Sequence, residues 1–498
     1  MTVLLRCSLL GAALLLVLLS LTDSQDDTGF FWHVSDFHFD KDYTTHGVRE
    51  AMCHSTPNQL SSDDIGPYGD FKCDAPRLLV ESAVAAMHTI EPDPDFVLWT
   101  GDNLPHVGAL PWSDVFAATR WLGELLHRAF PRCPVVPSLG NHDCSPANNM
   151  PSGNQSRFLS KADLNKLLPS SAWSTFEKGG YYSWTVRGSV RLVCLNSVLW
   201  YTGNQAPAAN VSADDQLSWL GEQLAEAKAL GHKVFISGHV GPGFNNRAIS
   251  REVGPTELFR EGVNERYQDL VANFSDTVAG QFFGHQHGNS FVLLSDSAGH
   301  VVGSAQLAGS VTPWGTSMPD YVKISVPTNP SVRLYKYRRS TVELLDYTVY
   351  YLDLDKANAR PQERPNWEPL YTLTTQYGIP DASTASMAVL GQHLSASAPL
   401  LDAYVRLSTS LKDVGPCDAF CRRVQLCAVL AARAGPHGAC LRGPAHQTWV
   451  SPPPEEATTL RDVLVGVSVS LLIVASIVLL VRAKRARMMA GPRYGRFG

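Results

Sequence analysis

Apolar and polar positions follow two periods along this chain. The runs 96–99, 190–195, 233–236 and 281–283 are short and nearly continuous in apolar residues, the pattern of strands buried on both faces. Stretches 77–90, 112–129 and 213–230 instead repeat apolar residues every three or four positions, which predicts helices with one buried face. Alternation of the two predicts an α/β arrangement. Later runs at 290–294, 321–326, 332–337 and 342–352 suggest antiparallel pairing, so a two-sheet sandwich flanked by helices fits better than a doubly wound sheet. Residues 358–369 are Pro-rich and polar and read as a surface linker, whereas 383–440 read as helical. There are no internal repeats.

The two ends change this picture. Residues 1–24 carry Arg6, an apolar run from 9 to 19 and then small and polar residues, the layout of a cleaved secretory signal. Val463 to Val481 are 19 uncharged, mostly apolar residues, close to the ~20 that cross a bilayer as a helix. Six basic residues and no acidic one follow, which predicts a cytosolic C-terminus. A signal for a glycolipid anchor is the alternative, but an apolar anchor signal would normally end the chain. The expected organisation is therefore a signal at 1–24, a catalytic domain at 25–357, a linker and small helical subdomain at 358–445, a Pro-rich stalk at 446–462, a membrane helix at 463–481 and a basic tail at 482–498. This places the catalytic domain outside the cell on a single-pass anchor, with a lipid-anchored or secreted form as the alternatives.

Without the signal and the tail, 34 basic residues face 45 acidic ones, a net charge of about −11. Such a balance argues against nucleic-acid binding, and an anionic substrate would need local cations to hold it. Nine cysteines remain after Cys7 is removed with the signal. In an oxidising compartment Cys53 with Cys73, Cys417 with Cys421 and Cys427 with Cys440 are the expected disulfides, which leaves Cys133, Cys144 and Cys194 with at least one free or intermolecular thiol. Asn154, Asn210 and Asn273 head N-glycosylation sequons.

Candidate chemistry sits at the ends of the strand-like runs. In order along the chain these are Asp36-Phe37-His38, Gly101-Asp102-Asn103, Gly140-Asn141-His142-Asp143, Gly238-His239 and Gly284-His285-Gln286-His287. A strand that stops at such a cluster presents its ligand at a sheet edge, and five edges can converge on one pocket. Two metal ions about 3.5–4 Å apart, bridged by one carboxylate, neutralise a phosphoryl group and make water more acidic. Asp102 is the natural bridge, with Asp36, His38 and His287 completing one site and Asn141, His239 and His285 the other. Imidazole-rich shells favour two zinc ions, with iron or manganese as alternatives, over magnesium or calcium. Glycines 101, 140, 238 and 284 are expected to supply a positive φ as each ligand leaves its strand.

The order of these clusters resembles the calcineurin-like binuclear metallophosphoesterases. Phe31-Trp32-His33-Val34-Ser35-Asp36-Phe37-His38, Trp99-Thr100-Gly101-Asp102-Asn103-Leu104-Pro105-His106 and Ser310-Val311-Thr312-Pro313 are similar to the acid sphingomyelinase family, over about 29–440. No saposin-like segment precedes the first cluster, so the likeness is to the acid sphingomyelinase-like phosphodiesterases, and membrane attachment points to type 3b. The resemblance implies a metallophosphoesterase sandwich fold. It also implies that His142 faces the phosphoryl group as acid or charge stabiliser, and that His106 contacts phosphate. Cys144 stands where relatives often carry an aromatic residue, a change expected at the pocket rim.

The reading that follows is an extracellular, membrane-attached zinc phosphodiesterase acting on nucleotide or choline-type esters, with sphingolipid head groups as a further candidate. Relatives of type 3b are associated with membrane lipid organisation and restraint of innate immune signalling. Metal ligands do not separate diesters from monoesters, so a phosphomonoesterase is one alternative. A catalytically quiet, lipid-binding surface regulator is another, which the complete ligand set disfavours.

Overall fold

The computed structural model describes residues 27–153, 155–206, 213–247, 256–315, 326–412, 415 and 417–443. Twelve strands run through them in chain order: β1 (Thr28–Val34), β2 (Phe96–Trp99), β3 (Val135–Pro137), β4 (Tyr182–Arg187), β5 (Val190–Cys194), β6 (Lys233–Ser237), β7 (Val278–Phe283), β8 (Ser290–Ser295), β9 (Val301–Leu307), β10 (Ser331–Arg338), β11 (Leu344–Leu352) and β12 (Trp367–Thr372). They form two six-stranded mixed sheets, ordered β12-β11-β10-β1-β2-β3 and β4-β5-β6-β7-β9-β8. In the first, β1, β2 and β3 are parallel. In the second, β5, β6, β7 and β9 are parallel.

Helices make the parallel crossovers because one face of each is apolar. Arg77–Ile90 joins β1 to β2 and buries Leu79, Val80, Ala83, Val84 and Met87; Trp112–Ala129 joins β2 to β3 and buries Val115, Phe116, Leu122 and Leu126. The second of these starts after Pro111, carries Asp114 in its first turn and ends on His127 and Arg128, which suits the helix dipole. Ala213–Ala229 and Val263–Asn273 play the same part for β5, β6 and β7. Between the sheets the core is aromatic. Phe31 of β1 lies 5.5 Å from Phe235 of β6 and 5.3 Å from Phe282 of β7, ring centre to ring centre, and Tyr335 of β10 lies 5.0 Å from Phe282.

The predicted sandwich is present, and the run at 321–326 is largely outside the described residues. The linker reading needs correction at its end. Trp367–Thr372 pairs antiparallel with β11 as an edge strand, where Pro369 is tolerated. Four helices, Thr384–Ala396, Ala398–Ser408, Ala419–Leu430 and Ala434–Arg442, follow; the first packs on β8 and β9, the third on β8, and the other two pack on these helices. Ser383, Ser397 and Asp418 cap the first three by accepting a backbone N–H of the first turn. These helices and the sheets form one unit through the described residues. Disulfides join Cys53 to Cys73, Cys417 to Cys421 and Cys427 to Cys440, while Cys133, Cys144 and Cys194 are free thiols. No described helix is long and apolar enough to cross a membrane. The signal, stalk, membrane helix, tail and the sequons at Asn154 and Asn210 lie outside the described residues, whereas Asn273 is exposed at the end of its helix.

Candidate metal centre

All five clusters sit at the C-terminal ends of parallel strands, three from one sheet and two from the other. Hydrogen bonds lace their loops together: Asp36 N–H donates to Gly101 O at 3.0 Å and His38 N–H to Asp102 O at 3.0 Å. His285 N–H donates to the Asp36 carboxylate at 3.1 Å, across the two sheets.

Backbone strain at these loops is carried by the ligands themselves, contrary to the expectation for the glycines. Asp36, His38, Asp102, His285 and His287 have φ between 42° and 67°, while only Gly101 of the four flagged glycines has a positive φ, at 88°. Left-handed conformations at such residues cost about 1–3 kcal/mol each and persist where the surroundings impose them. The other glycines serve close approach. A Cβ at Gly140 would lie 2.2 Å from the Asp102 amide nitrogen and Oδ1, and one at Gly284 would lie 1.9 Å from Ser35 Oγ and 2.5 Å from Asp36 Oδ2.

The ligand atoms gather in two groups that share Asp102. Asp36, His38 and Asp102 form one, and Asp102, His239 and His285 the other, each within 4.8 Å. His287 Nε2 is 3.3 Å from Asp36 Oδ1 and 3.2 Å from His38 Nε2. Asn141 Oδ1 is 2.9 Å from His239 Nε2, and its amide is oriented by donating Nδ2 to Asn148 Oδ1 at 3.0 Å. All seven residues predicted from sequence therefore meet.

Donor chemistry tests whether this constellation fits cations. His38 Nδ1 donates to Leu104 O at 2.6 Å and His239 Nδ1 to Thr100 O at 2.7 Å. Both rings then turn the Nε2 lone pair inward. His239 Nε2 faces Asp102 Oδ2 at 3.1 Å, and His38 Nε2 faces the same oxygen at 3.5 Å. Acceptors opposed at these distances repel unless positive charge lies between them. Burial opposes a charged imidazole, but Asp36 and Asp102 outweigh it at His38, and Asp102 at His239, raising both to about 9. Burial together with neighbouring positive charge holds His285 down to about 3, and burial and Arg247 hold His287 well below its ordinary value. Against their own burial, Asp36 and Asp102 stay ionised through the surrounding histidines. The pocket thus calls for positive charge at two places, which a binuclear metal centre fits.

The two histidines outside the ligand set face the same space. The His142 ring centre lies 5.0 Å from that of His38 and 4.4 Å from that of His106, while its backbone N–H donates to Asp102 Oδ1 at 2.7 Å. Burial, then His106, holds its imidazole well below the usual range, and Nδ1 is buried without a hydrogen-bond partner. His106 is stacked between His38 at 4.0 Å and Trp314 at 3.8 Å. Its Nδ1 donates to Asp74 at 3.0 Å.

Three groups near the centre went unassigned from sequence. Asp74 is fully buried, accepts from Thr312 Oγ1 at 2.9 Å and is held down to about 2, where His106 outweighs its burial. Asp143 accepts three backbone N–H bonds, from Gly140 at 2.7 Å, Asn103 at 2.8 Å and Asp102 at 3.1 Å. Arg247 donates Nη1 to His285 O at 2.9 Å. Asp143 stood inside a quoted cluster, and Thr312 inside a quoted motif, but nothing local marks Asp74 or Arg247. Cys144 is not at the rim: it is buried, and its Sγ donates to Asn141 O at 3.3 Å and Pro146 O at 3.2 Å.

Comparison with known proteins accords with this geometry. Residues 31–289 match the calcineurin-like phosphoesterases, and residues 302–447 match the acid sphingomyelin phosphodiesterase C-terminal region. The second match begins within β9 and holds β10, β11 and β12, so it contributes strands to both sheets. The chain is 36% identical over 421 residues to the acid sphingomyelinase-like phosphodiesterase 3b of Homo sapiens, covering 83% of this chain and 90% of that one. It is 32% identical over 421 residues to a cyclic GMP-AMP phosphodiesterase of Rattus norvegicus, covering 83% and 92%. With the sphingomyelinase phosphodiesterase C of Dictyostelium discoideum it shares 30% over 415 residues, covering 80% and 90%.

Proposed function

We propose a specific chemistry for this chain, which belongs to the acid sphingomyelinase-like phosphodiesterases and is a hydrolase of phosphoric esters: it cleaves small soluble phosphodiesters at two zinc ions, on an extracellular domain tethered to a membrane. Asp36, His38 and His287 would hold one ion, Asn141, His239 and His285 the other, and Asp102 both. The observation that carries this reading is the shared Asp102 carboxylate with two inward-facing imidazole lone pairs against one of its oxygens. When bound, the ions supply charge neutralisation at the phosphoryl oxygens and a more acidic water. The imidazole-rich donor set supports zinc.

The chain's own residues do the rest. His142, kept neutral by burial, offers an N–H to a phosphoryl or leaving oxygen as charge develops there. His106 contacts an anionic oxygen when its Nε2 carries a proton. Burial lowers its affinity for that proton, and Asp74 across Nδ1 works in the opposite direction. Asp143 fixes the main chain around Asp102 and Gly140. Preference for soluble esters is supported by the likeness to a cyclic GMP-AMP phosphodiesterase. Tethering is supported by the apolar run 463–481.

A substrate panel on the purified extracellular domain tests this. Bis(p-nitrophenyl) phosphate should be cleaved at least about ten-fold more efficiently than p-nitrophenyl phosphate, and sphingomyelin in detergent-free vesicles should be a poor substrate. Preference for the monoester, or vesicle sphingomyelin cleaved as fast as soluble diesters, would sink the proposal.

A further inference from the structure

Strands β1 and β10 pair with His33 directly opposite Arg333. Phe31, two residues before His33 on the same face of β1, packs against Phe235 and Phe282 of the other sheet, so His33 and Arg333 also point between the layers. Both are fully buried. Arg333 thus places a permanent positive charge inside the sandwich, and its partners are neutral. Nη1 donates to Tyr335 Oη at 3.0 Å, and Nη2 donates to Asn289 Oδ1 at 3.0 Å and to Leu307 O at 2.9 Å. The guanidinium carbon lies 4.3 Å from the centre of the Tyr347 ring. Among the described residues it pairs with no carboxylate. Asp36 acts on His33 across space, but its carboxylate accepts Ser35 Oγ–H and His285 N–H and belongs to the metal centre.

Two nitrogens of this pair lack a partner. Arg333 Nε is buried without a hydrogen bond, and so is His33 Nδ1. On the far side of the His33 ring, Nε2 lies 3.0 Å from Thr100 Oγ1. That hydroxyl has no other acceptor among the described residues, so it donates to Nε2 and the ring proton sits on Nδ1. Two N–H donors on facing residues of paired strands are then left over, beside a charge that nothing opposes. Buried donors are normally satisfied, and buried charges are normally paired.

The pair stands behind the metal centre. Thr100 O accepts His239 Nδ1–H at 2.7 Å, and Asn289, two residues beyond His287, accepts Gly309 N–H at 3.2 Å on the oxygen that Arg333 also meets. One cation matches one negative charge, and two single N–H donors suit a spherical ion with no oxygens to place. We propose that a chloride ion binds between the two sheets on Arg333 Nε–H and His33 Nδ1–H. This goes beyond the phosphodiesterase reading and does not depend on it.

The competing occupant is a water molecule, which would accept from the donors without opposing the charge. Gln306 Oε1, next to the Leu307 carbonyl that Arg333 meets, is also buried without a partner and would favour water. Thermal melting of the full chain decides between them, run in sodium chloride against sodium gluconate at equal ionic strength. A ligand held only by the folded state stabilises it with the logarithm of concentration, so the melting temperature should climb by at least about 2 °C for a roughly hundred-fold rise in chloride. The series is run with zinc bound and after chelation, because a halide on zinc would act only in the first. A flat response, or one confined to the zinc-bound protein, overturns the proposal. Arg333→Met should abolish the response, and a response equal to that of the wild type overturns the assignment. If that variant does not fold, His33→Phe decides: it keeps a ring and removes one donor, so the chloride needed for half the effect should rise about ten-fold, and an unchanged requirement overturns the site. Independently of any variant, wild-type crystals soaked in bromide should give an anomalous peak within hydrogen-bond reach of Arg333 Nε and His33 Nδ1. Water in that place, with no anomalous signal, overturns the proposal.

Discussion

Replacing Asp143 by Asn should separate the stability of the fold from the assembly of the centre. The Asp143 carboxylate is fully buried and accepts Gly140 N–H and Asp102 N–H on one oxygen and Asn103 N–H on the other. An amide keeps one oxygen. If that oxygen stays with Gly140 and Asp102, two charge-assisted bonds become neutral, a loss of about 1 kcal/mol each, and Asn103 N–H is left facing an NH2 group at about 1–3 kcal/mol. Against this stands the charge itself. Burial, then the neighbouring Asp102 carboxylate, raises Asp143 above the usual carboxylate range, so neutralising it recovers a few kcal/mol. The two effects are of similar size, and the metal-free protein should lose no more than about 2 kcal/mol, a shift of a few degrees in its melting temperature. What does not cancel is geometry, because the Asp102 and Gly140 amides lose their common anchor. Residues behind metal ligands typically affect affinity or activity by about 10–100-fold. Thermal melting of chelator-treated protein, paired with zinc titration of activity, measures both. A melting temperature lowered by more than about 10 °C with unchanged zinc affinity would refute the reasoning, as would a variant indistinguishable from wild type.

His142→Ala should keep its zinc and lose about 10²–10⁴-fold in kcat, measured by elemental analysis and steady-state kinetics, because on the proposed mechanism its ring serves the phosphoryl group, while its bond to the ligand Asp102 is made by the backbone N–H and survives the change; parallel loss of metal would mean a different role. Asp74→Asn removes the group that raises the His106 proton affinity against burial. The charged form of His106 is then confined to lower pH, so the activity profile should move toward acid, and an unmoved profile would exclude His106 as a charged contact. A C-terminal tag should remain on the mature, cell-surface protein and be protected from outside, because the apolar segment 463–481 precedes six basic residues; release by a phospholipase that cuts glycolipid anchors would show the alternative.

The site was legible in sequence because its ligands sit where strands stop. Apolar runs ending at Asp36, Asp102, Asn141, His239 and His285 are local signals, and parallel pairing of β1-β2-β3 and of β6-β7 brings them to one edge. Helices at 77–90 and 112–129 were readable for the same reason, since one buried face sets a period. The groups behind the ligands were not. Asp74 lies 32 residues from His106, and Arg247 is 38 residues from His285. Such partners are fixed only when loops from different strands meet. The strand at 367–372 was hidden for another reason: Pro369 suggests a break, and only its place at the edge of the sheet, beside β11, makes it acceptable. The glycines show a third kind of limit. Their spacing suggested turning points, whereas Gly140 and Gly284 are needed for contact distance to Asp102, Ser35 and Asp36, residues far away in the chain.

The account stands or falls on Asp102 belonging to two metal sites at once. Zinc content of the purified protein, counted per chain for the wild type and for Asp102→Asn, tests this most directly. The account predicts close to two zinc ions in the wild type, and loss of both together with activity in the variant. One tightly held ion remaining in Asp102→Asn, or full activity in a metal-free preparation of the wild type, would contradict it.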